Sequence, residues 1–270
     1  MALQLKDGSQ FLHIPKTGGS WVSEVLHEQG LVAGYVGHKH ADYDLTLFNE
    51  RIISGTVVPV VLREGWNRIQ AAITGNRKPE RHRFRFAFVR HPLAWYESHW
   101  LFTQSLDWVD WGEPNTCFRW HPCSALNGLG STDFNEFVSN VIRVRPGYVS
   151  ELYFASTKRG IDFIGKNETL RDDFKTVADL RGWLIDSALV EKKPAANVSD
   201  KGAARPQWDP KLRDLVMRLE MPALVHFDYL DHEERRWYGI PDDLLPHPAL
   251  RATSQVPLPA FYPKGRRMVA

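Results

Sequence analysis

The stretch that most constrains the fold is Phe11-Leu-His-Ile-Pro-Lys-Thr-Gly-Gly-Ser-Trp21, near the start of the 270-residue chain. A short apolar run (Phe11, Leu12, Ile14) halts at Pro15, and two glycines precede an amphipathic segment over 21–29 that closes at Gly30. The pattern reads as strand, tight loop, helix. Paired glycines let backbone N–H groups turn toward one point, where the following helix adds the positive end of its dipole. Lys16 contributes a mobile charge, and the hydroxyls of Thr17 and Ser20 contribute donors. Such a loop is suited to an anion. Its plain alternative, for this stretch alone, is a glycine turn that only joins two elements.

In the nucleotide-binding pattern G-x-x-x-x-G-K-[ST], lysine follows the glycines. Here it precedes them. Further along, Arg83-Phe-Arg-Phe-Ala-Phe-Val-Arg90 alternates phenylalanines with other residues, a strand signal, and His91-Pro92 ends it ahead of a helix over 93–103. Arg90 thus stands at a strand end, with Ser98 about two helical turns on. In a parallel sheet the carboxyl ends of the strands share one crevice, so Arg90 is expected to face the first loop. A magnesium-dependent nucleotide site wants an acidic residue at such a position. Arginine there points to a second anionic group bound directly, with no metal; a surface arginine paired with a carboxylate is the alternative.

The rest of the chain alternates similarly. Helices are expected at 44–52, 66–74, 132–144, 168–183, 209–219 and 222–230, and strands at 56–62 and 161–164. Leu170, Phe174, Val177, Leu180 and Leu184 give the 168–183 segment its apolar spacing. Residues 106–130 read as a long, ordered, irregular loop, and 34–40 as a turn-rich stretch. The expected fold is α/β: a doubly wound, mainly parallel, P-loop-NTPase-like sheet flanked by helices, forming a single domain over 1–240. A proline-rich tail, 241–270, packs on the surface or is partly disordered.

Composition narrows the function classes. Charged residues make up 24% and apolar residues 43%, an ordinary globular balance, and the net charge of +2 gives no reason to expect nucleic acid as a partner. The first residues lack a signal-peptide pattern and no apolar run reaches membrane-spanning length, so the expectation is a soluble, cytoplasmic chain with no membrane span. Cys117 and Cys123, with His121 between them, match no zinc pattern, and free thiols are favoured over a local disulfide.

Taken together, three ordered stretches resemble the PAPS-dependent sulfotransferases, in particular their carbohydrate-type branch. Pro15-Lys16-Thr17-Gly18-Gly19-Ser20 is similar to that family's 5′-phosphosulfate loop. Val89-Arg90-His91-Pro92 through Ser98 is similar to its 3′-phosphate motif. Phe163-Ile-Gly-Lys-Asn-Glu168 with Asp172-Asp173 resembles a third stretch of the branch. The resemblance spans roughly 11–239. It implies an enzyme that moves the sulfuryl group of PAPS to a hydroxyl of a glycan, glycolipid or small metabolite, without a metal, and releases 3′,5′-ADP. It implies that Lys16 stabilises the leaving group, that Thr17, Gly18, Gly19 and Ser20 hold the 5′-phosphate, and that Arg90 and Ser98 bind the 3′-phosphate. Trp21 either stacks on the adenine or packs in the core. Two departures stand out: His91 replaces a frequent aspartate, and the region of Ala94, Trp95 and Tyr96 replaces a frequent arginine.

A hydroxyl acceptor benefits from a general base, and histidine suits neutral pH. His38 and His40 are the candidates, with His40 slightly ahead; His91, His99 and Glu97 are alternatives, and two solvated loop histidines are the plain reading. Trp95, Trp100, Trp108, Trp111 and Trp120 could line an acceptor cleft or fill the core. Two other functional classes compete: a P-loop-type kinase using ATP–Mg²⁺, and a noncatalytic nucleotide- or glycan-binding module.

Overall fold

The computed structural model describes residues 2–36, 40, 83–111, 121–158, 160–194 and 206–250. The expected elements at 44–52, 56–62 and 66–74 lie outside them, as do His38, Cys117, Trp120 and the tail beyond 250.

Five strands form one mixed sheet: β1 (Ala2–Leu5), β2 (Gln10–Leu12), β3 (Val32–Val36), β4 (Arg85–Val89) and β5 (Phe163–Lys166). Their order is β3-β1-β2-β4-β5. β2, β4 and β5 run parallel, with Leu12 beside Ala87 and Val89 beside Lys166, so the loops leaving these strands emerge along one edge. β1 pairs antiparallel with both β2 and β3. The sheet is therefore mixed rather than mainly parallel. Only four residues (6–9) separate β1 from β2, far too few for the crossover that a parallel pair demands. Asp7 closes this hairpin by accepting from the Ser9 N–H at 2.9 Å.

Helices cover both faces. α1 (Gly19–Glu28) follows β2, α2 (Pro92–Ser105) follows β4, and α3 (Phe134–Val144) and α4 (Tyr148–Ser156) precede β5. After β5 come a 3₁₀ turn at Asn167–Thr169, α5 (Leu170–Arg181), α6 (Ser187–Lys192), α7 (Pro210–Leu219), α8 (Met221–His226) and α9 (His232–Trp237). The pleat sorts side chains to two cores. Phe11, Phe86, Phe88 and Phe163 point toward α1 and α5 with Trp21 and Phe174, while Leu12, Ala87, Val89 and Ile164 point toward α2, α4 and α8. β4 is buried along its whole length, including Arg85, which donates through Nε to Gln10 Oε1 at 3.0 Å. Burial on both faces makes β4 the centre of the fold.

Local caps fall where the sequence places them: Asp133 and Asp209 accept from first-turn N–H groups of α3 and α7. Other expectations differ. Residues 32–36, expected within or beside a turn-rich stretch, form edge strand β3, and α4 arises where no helix was expected. Leu180 and Leu184 are exposed, and Leu184 lies beyond the end of α5 at Arg181. Residues 241–250 do not trail away. Leu250 bridges Ile164 beside β5, and the Ile164 N–H donates to the Ala249 carbonyl at 2.8 Å.

Candidate functional site

The loop between β2 and α1 is tightly specified. Lys16 adopts a left-handed conformation at φ 64°, a conformation costing on the order of 1–3 kcal/mol for a residue with a side chain. Gly18 follows at φ 84°, and a Cβ there would lie 2.6 Å from Asn167 Oδ1. At Gly19 a Cβ would overlap the His13 ring. Thr17 is buried and its hydroxyl donates to the Ile14 carbonyl at 3.0 Å, so its side chain builds the loop and does not face outward. Among the described residues no side chain caps the start of α1, and no acidic residue occupies its first turn to offset the positive end of the dipole.

Three hydrogen bonds and contacts join the stretches that the sequence singled out. Trp95 Nε1, on α2, donates to the Pro15 carbonyl at 2.9 Å. The His91 N–H donates to Glu168 Oε1 at 2.8 Å, and Asn167 packs against Gly18. The loops after β2, β4 and β5 therefore meet at one place. Arg90 leaves β4 there, its peptide clamped by Tyr153, whose hydroxyl accepts from the Arg90 N–H at 3.2 Å and donates to the Arg90 carbonyl at 2.8 Å. Among the described residues no carboxylate forms an ion pair with Arg90. Lys166 closes β5, Nζ donating to the Asp228 carbonyl at 2.7 Å; burial lowers its pKa against the pull of Asp228, Glu168 and Asp173. Ser98 is half-buried on α2, four residues before Phe102, hence on the same side of that helix.

Phe102 carries the Lys16 ammonium, with Nζ 3.8 Å from the ring centroid. From Phe102 an aromatic chain continues: Trp111 stacks on Phe102 at 6.0 Å, His121 on Trp111 at 4.2 Å, and His40 meets His121 edge-on at 4.4 Å. His40 also meets His13 at 4.6 Å and places Nδ1 2.9 Å from the His13 carbonyl. A carbonyl only accepts, so Nδ1 carries the proton and the lone pair of the neutral ring lies on Nε2. His40, unlike a solvated loop histidine, is thus oriented by the same segment that carries Lys16.

The other base candidates have structural duties. His91 caps α2, its Nδ1 accepting from the Leu93 N–H at 3.2 Å, and burial aided by Arg213, Lys166 and Arg90 lowers its pKa to about 3. His99 is buried flat against Trp95, with its pKa lowered to about 3 by burial and then by Lys16 and His121. Glu97 accepts from Trp208 Nε1 at 2.7 Å. Trp21 is 2% exposed, edge-on to Phe174 at 5.7 Å, and packs in the core that β2, β4 and α5 share. Cys123 is a free buried thiol, pushed up to about 12 by burial.

Several contributors were not named from the sequence. His13, Phe102 and Tyr153 act through contacts across 27, 86 and 63 residues, and nothing local marks them. Asp173 takes the Lys166 N–H and the Thr169 hydroxyl, each at 2.7 Å, and so closes the turn from β5 to α5. Among the described residues no cluster of metal-binding side chains occurs and no helix is long and apolar enough to cross a membrane. Compared with known proteins, the chain matches no family model, no curated protein and no solved structure.

Proposed function

We propose that this chain is a sulfotransferase of P-loop-like fold that moves the sulfuryl group of PAPS to a hydroxyl acceptor by in-line displacement. The observation that supports it most is the convergence of the 15–20, 89–98 and 163–168 stretches, joined by Trp95 to Pro15 and His91 to Glu168. An uncapped helix start, Lys16 beside it and Arg90 at the neighbouring strand end give two cationic points for a nucleotide phosphorylated at both 5′ and 3′ positions. Reaction requires little beyond alignment and charge neutralisation, because the nucleotide is already a good leaving group. The acceptor oxygen forms a bond to sulfur as the bond from sulfur to the bridging phosphate oxygen breaks. Lys16 balances the charge that collects on the departing 3′,5′-ADP. His40, with Nδ1 committed to the His13 carbonyl, takes the hydroxyl proton on Nε2.

The test is transfer from ³⁵S-labelled PAPS to a panel of hydroxyl compounds by the full chain and by Lys16→Ala. Turnover should vanish in Lys16→Ala while 3′,5′-ADP still binds measurably. Undiminished turnover would remove Lys16 from the mechanism.

A further inference from the structure

The described residues between α2 and α3 hold one ring in place, that of His121. Asp107 and Trp108 are consecutive non-glycine residues in the left-handed region, φ 52° and 56°, and strain of this kind persists where surrounding contacts over-determine it. Asn127 supplies such contacts: it accepts from the Trp111 N–H and donates to the Trp111 carbonyl, each at 3.0 Å. Asp110 accepts from the Gly128 N–H at 3.1 Å. Trp108 and Trp111 line a pocket of about 260 Å³, so Trp111 is placed by this backbone clamp and not by packing on every side. His121 lies flat on Trp111, with ring centroids 4.2 Å apart and planes 16° from parallel.

The His121 ring is anchored a second time. A 3₁₀ turn at Pro122–Leu126 starts from His121, whose Nδ1 accepts from the Cys123 N–H at 3.0 Å. That turn is seated in the core through Cys123 and Leu126, and the Tyr148 hydroxyl donates to the Pro122 carbonyl at 3.1 Å. Acceptance at Nδ1 puts the proton of the neutral ring on Nε2, so His121 has no lone pair left to take a proton from a substrate. His40 meets this anchored ring at 4.4 Å and 73°, and meets His13 at 4.6 Å and 65°. His13 is itself buried and stacked on Phe11 at 5.8 Å. The last torsion of a histidine side chain is broad and two-fold by itself. Two edge-on rings, a directional pairing, and the bond from Nδ1 to the His13 carbonyl therefore select one orientation of His40.

We propose that His121 is a positioning residue for the proton acceptor: seated on Trp111, it holds the His40 ring with Nδ1 toward the His13 carbonyl and so keeps the proton-accepting lone pair on Nε2. This role deepens the transfer reading and rests on it only for the use of His40 as base. The readout is the tautomer of His40, taken from the ring ¹⁵N resonances of the full chain labelled at histidine, with His40→Gln used for assignment. We expect His40 to carry its proton mainly on Nδ1, the minor tautomer of a solvated imidazole, and His121 to carry it on Nε2. His121→Asn keeps an acceptor for the Cys123 N–H but removes the ring. It should lower the Nδ1–H preference of His40 roughly two- to ten-fold, the span that an edge-on ring pair carries. His121→Phe keeps the ring, loses the acceptor, and should retain the preference within two-fold. A variant without a cooperative urea transition has misfolded; Trp111→Leu, which takes away the face under His121, then decides in its place by the same loss. A parental His40 protonated on Nε2, an unchanged preference in His121→Asn, or an equal loss in both His121 variants overturns the proposal. 3′,5′-ADP is titrated in parallel. Its failure to bind while His40 responds to His121 as expected strikes the donor reading and leaves the role of His121 standing.

Discussion

Trp95→Phe probes the joint between the first loop and α2. Trp95 is fully buried, and its Nε1–H is the donor that reaches the Pro15 carbonyl. Phenylalanine keeps a ring against His99, stacked at 4.8 Å, but removes that donor. A buried carbonyl deprived of its partner costs about 1–3 kcal/mol. The smaller ring leaves a void worth about 1 kcal/mol. Together these predict a loss of about 2–4 kcal/mol in urea unfolding and, for a chain of this size, a Tm lower by about 4–7 °C. The loop carries Lys16 in a left-handed conformation that neighbours must enforce. Loosening it should therefore also weaken 3′,5′-ADP binding by about ten-fold, or about 1.4 kcal/mol. The assay is calorimetry on both proteins at a temperature well below either transition. Lower stability with undiminished nucleotide affinity would show that the joint supports the fold without positioning the loop, and would refute this reasoning.

Arg90→Ala should abolish the preference for 3′,5′-ADP over 5′-ADP, measured by competition; a surviving preference assigns the 3′-phosphate to another residue. Glu220 is fully buried and accepts from the Tyr96 hydroxyl at 2.9 Å, the Val149 N–H at 3.1 Å, the Ser150 N–H at 2.8 Å and the Ser150 hydroxyl at 2.7 Å, with burial raising its pKa. Glu220→Gln turns one acceptor oxygen into a donor facing donors and should cost about 2–4 kcal/mol; an unchanged urea midpoint would contradict it. His91 and His99 bind protons near pH 3 in the folded chain and near 6.5 when unfolded, so stability should fall as pH drops from about 6.5 toward 3. His99→Phe should flatten that slope, and urea midpoints across this range that keep the parental slope would remove His99 from the effect.

Much of the frame was legible because its signals are local. The strand–loop–helix at 10–28, the phenylalanine alternation of β4, and the aspartate caps at 133 and 209 are each settled by neighbours in sequence. The β1–β3 ribbon was not. Its strands are four and five residues long and Gly34 interrupts one, so neither carries enough alternation to mark it. Lys16, Gly18, Gly19 and Arg90 are candidate site residues read from their motifs. Their supports could not be read there, because Tyr153 on Arg90, Glu168 on His91 and Trp95 on Pro15 connect residues 63, 77 and 80 apart. Likewise the tryptophans of 95–111 divide by depth. Trp95 and Trp100 are core, whereas Trp108 and Trp111 line the pocket, a distinction set by the turn at Asp107.

The central claim, a site built for a nucleotide carrying phosphates at both 5′ and 3′ positions, is tested most directly by calorimetric titration of the full chain with 3′,5′-ADP, 5′-ADP and ATP–Mg²⁺. The account predicts tight binding of 3′,5′-ADP that is indifferent to chelator, with 5′-ADP at least ten-fold weaker. Preference for ATP–Mg²⁺, or no discrimination between the two ADP isomers, would contradict it.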